Sequence, residues 1–228
     1  MQNIGFTLLS FLMIVGFSLI IFTYVEDQKT KKQTFAGFIL FLLLWIGYNQ
    51  LLIKTGLILS TDFPPRIPLL VFLPLLLSIV LVKKTKGLKW IIKTMPIYVP
   101  IAIQSFRVVV ELLIFESYKN GVLPERVTFS GYNFDIIVGA LALPAAYLVY
   151  KASNKRRSLI IWNVFGLSIL MVTVSSFVYS FYFASENQID LNFIQYPLAF
   201  LPTVLLPFAI FFHVISLSQV KGIEQKVI

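Results

Sequence analysis

The chain has 228 residues, of which 58% are hydrophobic and 13% charged, and its mean hydropathy is +0.86. A soluble domain carries about 25% charged and 45–50% apolar residues, so a water-soluble globule is excluded and an integral membrane protein is expected. The formal charge of +9 would point to nucleic acid in a soluble protein. Here the basic residues sit in short clusters between apolar runs, the pattern of cytoplasmic loops, and nucleic acid drops out as a partner. With no cysteine, disulfides, thiolate catalysis and Cys-ligated metals are excluded, and a single histidine excludes a multi-histidine metal site. No cofactor is implied.

A bilayer core about 30 Å thick needs roughly 20 apolar residues per helix. Seven runs meet or approach this length within one transmembrane domain spanning residues 1–228: Ile4–Tyr24, Phe35–Leu59, Ile67–Val82, Trp90–Phe115, Phe134–Tyr150, Leu159–Phe183 and Ile194–Leu217. The first lacks a basic leader, and Tyr24-Val25-Glu26-Asp27 offers no small-residue cleavage site, so it is expected to be a retained span. Lysines 29, 31 and 32 follow it. Lysines 83, 84, 86 and 89 follow the third run, Lys151, Lys155, Arg156 and Arg157 follow the fifth, and Lys221 and Lys226 lie in the tail. The other side holds only Arg66, Lys119 and Arg126. This asymmetry predicts an external N-terminus and a cytoplasmic C-terminus in the plasma (inner) membrane.

The second run carries Asn49 one turn after Trp45, where it either reaches an interior cavity or bonds a neighbouring helix. The third holds Phe72-Leu73-Pro74, which returns as Phe200-Leu201-Pro202 in the seventh and suggests a 3+1+3 duplication. In the fourth, at 100° per residue, Lys93, Pro100, Gln104, Arg107 and Glu111 fall within about 40° of one line. A stripe this polar must face the bundle interior. It predicts an outward-facing cavity in which Arg107 contacts an anion and Glu111 is its partner or a proton acceptor; the alternative is an i, i+4 ion pair between the two. Between the fourth and fifth runs, Asn120-Gly121 and Val127-Thr128-Phe129 suggest a short hairpin or lid, with an inert ordered loop as the equal alternative.

Asp135 opens the fifth run, either as an N-cap-type carboxylate or as a further ligand contact. Asn163 in the sixth and His213 in the seventh are placed at similar depth in the cytoplasmic half, where the pair could gate or relay a proton; the alternative is that His213 is a hydrogen-bonded packing residue. Prolines 74, 96, 100, 144, 202 and 207 free backbone carbonyls and bend their helices.

The stretches RVVVELLIFE and TFSGYNFDIIVG (Arg107 through Gly139), Trp162-Asn163 with Gly166, and FLPTVLLPFAIFFH (Phe200–His213) resemble an uncharacterised family of bacterial seven-helix membrane proteins. The resemblance implies a polar signature of Arg107, Glu111, Asn133, Asp135, Asn163 and His213, and brings no activity. Better-known seven-helix families do not fit: the seventh run has no lysine for a retinal Schiff base, and the Pro-Gln dipeptide of PQ-loop carriers is absent.

The expected function is therefore binding or transport of a small molecule, anions included, at Gln104, Arg107, Glu111, Asp135 and Asn49. A scaffold or accessory subunit, with a membrane-protein partner or a second copy, is the alternative. An intramembrane enzyme ranks third, because His213 is expected near the opposite face from Glu111 and Asp135.

Overall fold

A computed structural model describes residues 2–56, 66, 69–184, 193 and 195–224. All regular elements among them are helical: α1 (Gln2–Tyr24), α2 (Gln28–Lys54), α3 (Leu69–Lys84), α4 (Lys86–Thr94), α5 (Val99–Ile103), α6 (Phe106–Lys119), α7 (Asp135–Lys151), α8 (Lys155–Tyr182) and α9 (Leu206–Glu224). A 3-10 turn occupies Glu125–Val127, and a π-helical turn, Leu201–Leu205, leads into α9. Positions 57–59, 67–68 and 194 of the predicted runs, and Lys226, lie outside the described residues.

Among the described residues, four helices are long and apolar enough to cross a membrane: Ile4–Tyr24, Gln28–Lys54, Lys155–Tyr182 and Leu201–Val220. A fifth is reached if Lys86–Thr94 and Val99–Lys119 are taken together. At 16 and 17 residues, α3 and α7 are shorter, spanning about 24–26 Å at 1.5 Å per residue. The surface inverts the soluble pattern. Leu8, Phe11, Leu43, Leu44, Leu143, Leu148 and Ile161 are exposed, while Arg107, Glu111, Asn133, Asn163 and His213 are buried.

The helix in the middle is α9, with its π turn: 61% of its apolar stretch is buried, against 11% for α2. Phe17 of α1 packs edge-on against Phe211 at 5.1 Å and Phe38 of α2 at 4.8 Å, joining the outer helices to α9. Among the described residues, side chains cap two helices. Asp27 Oδ2 accepts from Thr30 N at 2.7 Å, and Asn154 Oδ1 accepts from Arg157 N at 3.0 Å. Hydrogen bonding from Thr30 holds the Asp27 carboxyl below its ordinary pKa.

The predicted fourth span is not one helix. It breaks between α4 and α5 with a bend of 100°. Pro96 disfavours the helical conformation for the residue before it, and Met95 is extended (φ −69°, ψ 130°). Pro96 also has no N–H for the carbonyl of Ile92; the Gln219 amide of α9 reaches that oxygen at 3.4 Å and the Met95 oxygen at 2.8 Å. The consequence is that Lys93 is exposed on α4 and leaves the line of Gln104, Arg107 and Glu111. Of the two readings of the 116–133 connection, the structure has the ordered loop and not the hairpin. Gly121 turns the chain at φ +72°, and a 3-10 turn with Thr128 Oγ1 bonded to Glu125 O at 2.8 Å takes its place. The two Phe-Leu-Pro copies differ as well, since Pro74 lies within α3 and Pro202 within the π turn.

Pro207 creates a second opening. It offers no N–H to the carbonyl of Thr203 four residues earlier, and the indole Nε1 of Trp45 donates to that oxygen at 2.6 Å, bolting α2 to the π turn. Replacing the indole donor should strand a buried carbonyl, so Trp45→Phe is expected to lower stability by about 1–2 kcal/mol. Pro207→Ala restores an N–H partner. In a thermal-denaturation double-mutant cycle in detergent, the cost of Trp45→Phe should then shrink by about 1 kcal/mol; strict additivity would disprove the link.

Candidate functional site

Arg107 is 1% exposed. Its Nε donates to Asp135 Oδ2 at 2.6 Å and its Nη2 donates to Asp135 Oδ1, a two-pronged ion pair between α6 and the first turn of α7. The third nitrogen, Nη1, faces His213 Nε2 of α9 at 3.4 Å. A guanidinium only donates, which assigns Nε2 as the acceptor and places the imidazole hydrogen on Nδ1. That hydrogen then points at Asn163 Oδ1 of α8, 2.8 Å away. Asn163 Nδ2 completes the chain by donating to Ser216 Oγ and Leu159 O, each at 2.8 Å.

A second arm runs through Asn133. Its Nδ2 donates to Glu111 Oε2 at 2.7 Å and to Val127 O at 3.0 Å. Its Oδ1 accepts from Asp135 N at 3.0 Å and from Thr173 Oγ1 of α8 at 2.7 Å. One amide side chain therefore ties α6, the 3-10 turn, the start of α7 and α8 together. Two glycines admit the close approaches involved: a Cβ on Gly166 would come within 2.5 Å of His213 Cε1, and one on Gly139 within 2.6 Å of the Val108 nitrogen.

A cavity of about 80 Å³ opens on this cluster. Arg107, Glu111, Asp135 and Thr173 border it, and Phe106, Phe177, Phe181 and Leu205 supply apolar walls. Its volume exceeds the space needed for a water, so it suits a few waters or a compact solute.

The structure brings together Arg107, Glu111, Asp135, Asn163 and His213 from the expected set. It corrects three relationships among them. Arg107 is paired with Asp135 and not with Glu111. The polar group bonded to the first-turn N–H of Asp135 is Asn133, leaving the Asp135 carboxylate for the guanidinium. His213 does not sit at a separate depth from Arg107, since the two nearly touch. That last error follows from the break before α5: counted from Val99, Arg107 is as far along its helix as Asn163 is from Lys155, about 12 Å in each case.

The remaining two expected residues lie apart. Gln104 Nε2 donates to Ala209 O at 3.0 Å, tethering α5–α6 to α9 one turn from the cluster. Asn49 bonds the Trp45 carbonyl of its own helix at 2.8 Å. Neither borders the cavity. Thr173 and Ser216 were missed, although Asn163, Gly166, Leu170, Thr173 and Ser176 repeat at steps of three and four and are all buried. Among the described residues, no group of three or more His, Cys, Asp or Glu is placed to hold a metal ion.

Residues 64–220 match the family described as Domain of unknown function (DUF8737). The chain belongs to this family. The matched segment contains every member of the cluster and leaves out α1 and α2. Neither curated proteins nor solved structures give a match.

Removing one member of a buried ion pair strands the other at about 3–5 kcal/mol, whereas replacing both by apolar residues is often neutral. Arg107→Met should therefore be strongly destabilising, and Arg107→Met/Asp135→Leu should recover most of the loss in thermal melts. Arg107→Met/Glu111→Leu should not; recovery there would reassign the partner to Glu111.

Proposed function

We propose that the protein is a seven-helix integral membrane protein of a bacterial inner membrane, and that the Arg107 cluster binds a small molecule carrying an acidic group, for recognition or transport. The seven crossings would be α1, α2, α3, α5–α6, α7, α8 and α9. In this arrangement α4 lies along the interface, and the short α3 and α7 are accommodated by local thinning. Lysines after α1, lysines around α4 and the basic Lys151–Arg157 link all fall at one end of this bundle, which supports an external N-terminus and a cytoplasmic C-terminus.

The observation that carries the binding reading is the cavity bordered by Arg107, Glu111 and Asp135. Ionisable groups within a membrane bundle are costly, and a dry apolar seam would hold the helices at lower cost. Asp135 occupies the face of the guanidinium that a ligand carboxylate or phosphate would take, so binding proceeds by exchange: the ligand's acid group displaces Asp135 from Arg107. Thr173 and Glu111 then offer polar contacts at the rim, and the phenylalanine walls accept the apolar remainder.

A scaffold is the second reading, favoured by the saturation of Arg107, all three of whose nitrogens face a partner. Native mass spectrometry of the protein released from lipid nanodiscs separates the two. On the binding reading, the wild type retains a small-molecule adduct, and Arg107→Met/Asp135→Leu, which keeps its fold, does not. A wild type without an adduct, whose melting is unmoved by added small carboxylates or phosphate, would leave the scaffold standing.

A further inference from the structure

On the opposite side of α9 from the charged cluster lies a second space, a cavity of about 210 Å³. Its walls are α2 and α3, which follow one another in sequence yet are not closely packed against each other among the described residues, and its floor is Phe17, Phe208 and Phe211. Along α2 it runs from Gln33 to Trp45, about 18 Å at 1.5 Å per residue. At the far end stands the Trp45–Thr203 hydrogen bond. The near end is formed by Gln33, Thr34, Thr85 and Leu88.

That near end is strongly basic. Residues 29–32 and 83–93 carry eight lysines, opposed in the neighbouring link only by Glu26 and Asp27. Lys32 adjoins Gln33, and Lys84 and Lys86 flank Thr85; all three lysines are exposed. On α4, Lys86, Lys89 and Lys93 are exposed, while Gly87, Leu88 and Ile91 are buried. This is the pattern of a helix lying in a membrane interface with its cations toward the headgroups. Gly87 lies so close to Thr34 that no side chain fits between them, which fixes α4 at the mouth of the groove.

An apolar slot whose outer end adjoins exposed cations matches one kind of molecule. We propose that this groove binds an anionic phospholipid, one acyl chain lying between α2 and α3 and the phosphate held by Lys84, Lys86 and Lys32. The inference rests on the membrane reading above but not on the small-molecule site. Trp45 at the inner end serves as a built-in reporter of chain insertion.

The test uses Trp90→Phe/Trp162→Phe protein, in which Trp45 is the remaining tryptophan of three. It is reconstituted in phosphatidylcholine vesicles containing a minor fraction of either phosphatidylglycerol or phosphatidylcholine brominated on the acyl chains. Brominated phosphatidylglycerol should quench Trp45 as though enriched about fivefold over the brominated phosphatidylcholine. Lys84→Gln/Lys86→Gln should bring the two lipids level. Gly37→Phe should abolish the excess, because Gly37 borders the groove and its Cβ position is unobstructed. Flotation with the vesicles and unchanged helical circular dichroism check that each variant is inserted and folded. Equal quenching by the two lipids in the parent protein would overturn the lipid site and leave the membrane reading intact. A protein that does not float with vesicles would overturn both.

Discussion

The Arg107–Asp135 pair is the constraint around which the rest of the bundle is arranged. A guanidinium and a carboxylate that are both almost fully buried are tolerable only when each compensates the other and the remaining donors and acceptors are filled. Compensation requires α6 and the first turn of α7 to lie side by side, and Gly139 lets their backbones meet. Filling the remaining positions draws in two more helices. His213 brings α9 to Nη1, and Asn133 carries Glu111 and Thr173, so that α8 joins from both arms. Hydrophobic burial says little about which apolar face meets which, particularly where lipid competes as an equally apolar partner. The polar cluster does say so, because its geometry has few solutions.

Prolines set the second constraint. A proline inside a helix or just past its end leaves a carbonyl without its usual donor, and in an apolar environment that carbonyl has no water to turn to. At Pro207 the gap at Thr203 is filled by the Trp45 indole, and at Pro96 the gap at Ile92 is met by the Gln219 amide. These bonds make the bends part of the tertiary structure. The bend before α5 is the more consequential, since it spends the lysine-rich first part of the predicted fourth span on α4 and restarts the chain's helical course at Val99. Arg107 thereby comes to the level of Asn163 and His213.

Much of this was legible in the residues. Composition and run length gave an all-helical chain with several apolar helices, and the 100° spacing put Gln104, Arg107 and Glu111 on an inward line, where they are buried. The His213–Asn163 pairing also follows from their matched depths. What could not be read was the partner of Arg107. Glu111 is an i+4 neighbour on the same helix, and a helical wheel favours such a pair, whereas Asp135 is 28 positions away and reaches Arg107 only through the fold of the intervening loop. The β-branched residues Val127 and Thr128 suggested a strand, but Val127 O is taken by Asn133 and Thr128 bonds back to Glu125, which curls the loop onto the cluster. The rotation of α8 likewise depends on tertiary contact: Ser168, Ser175 and Tyr179 share one outward face, and Thr173, Ser176 and Ser180 the inward one.

The π turn joins these features. Leu201, Pro202 and Leu205 border the cavity at Arg107, while Thr203, Val204 and Pro207 border the groove between α2 and α3. A single turn of backbone is therefore the partition between a charged chamber and an apolar slot. Its amides follow a wider register, with Leu206 N bonded to Leu201 O, and such bulges are local departures from helical geometry that recur at functional sites. An α-helical turn here would rotate every preceding residue by one position, turning Leu201 and Leu205 out of the chamber wall and Thr203 away from Trp45. The wider register keeps both sets of contacts at once, which is why the turn that separates the two spaces is also the one that cannot be regular.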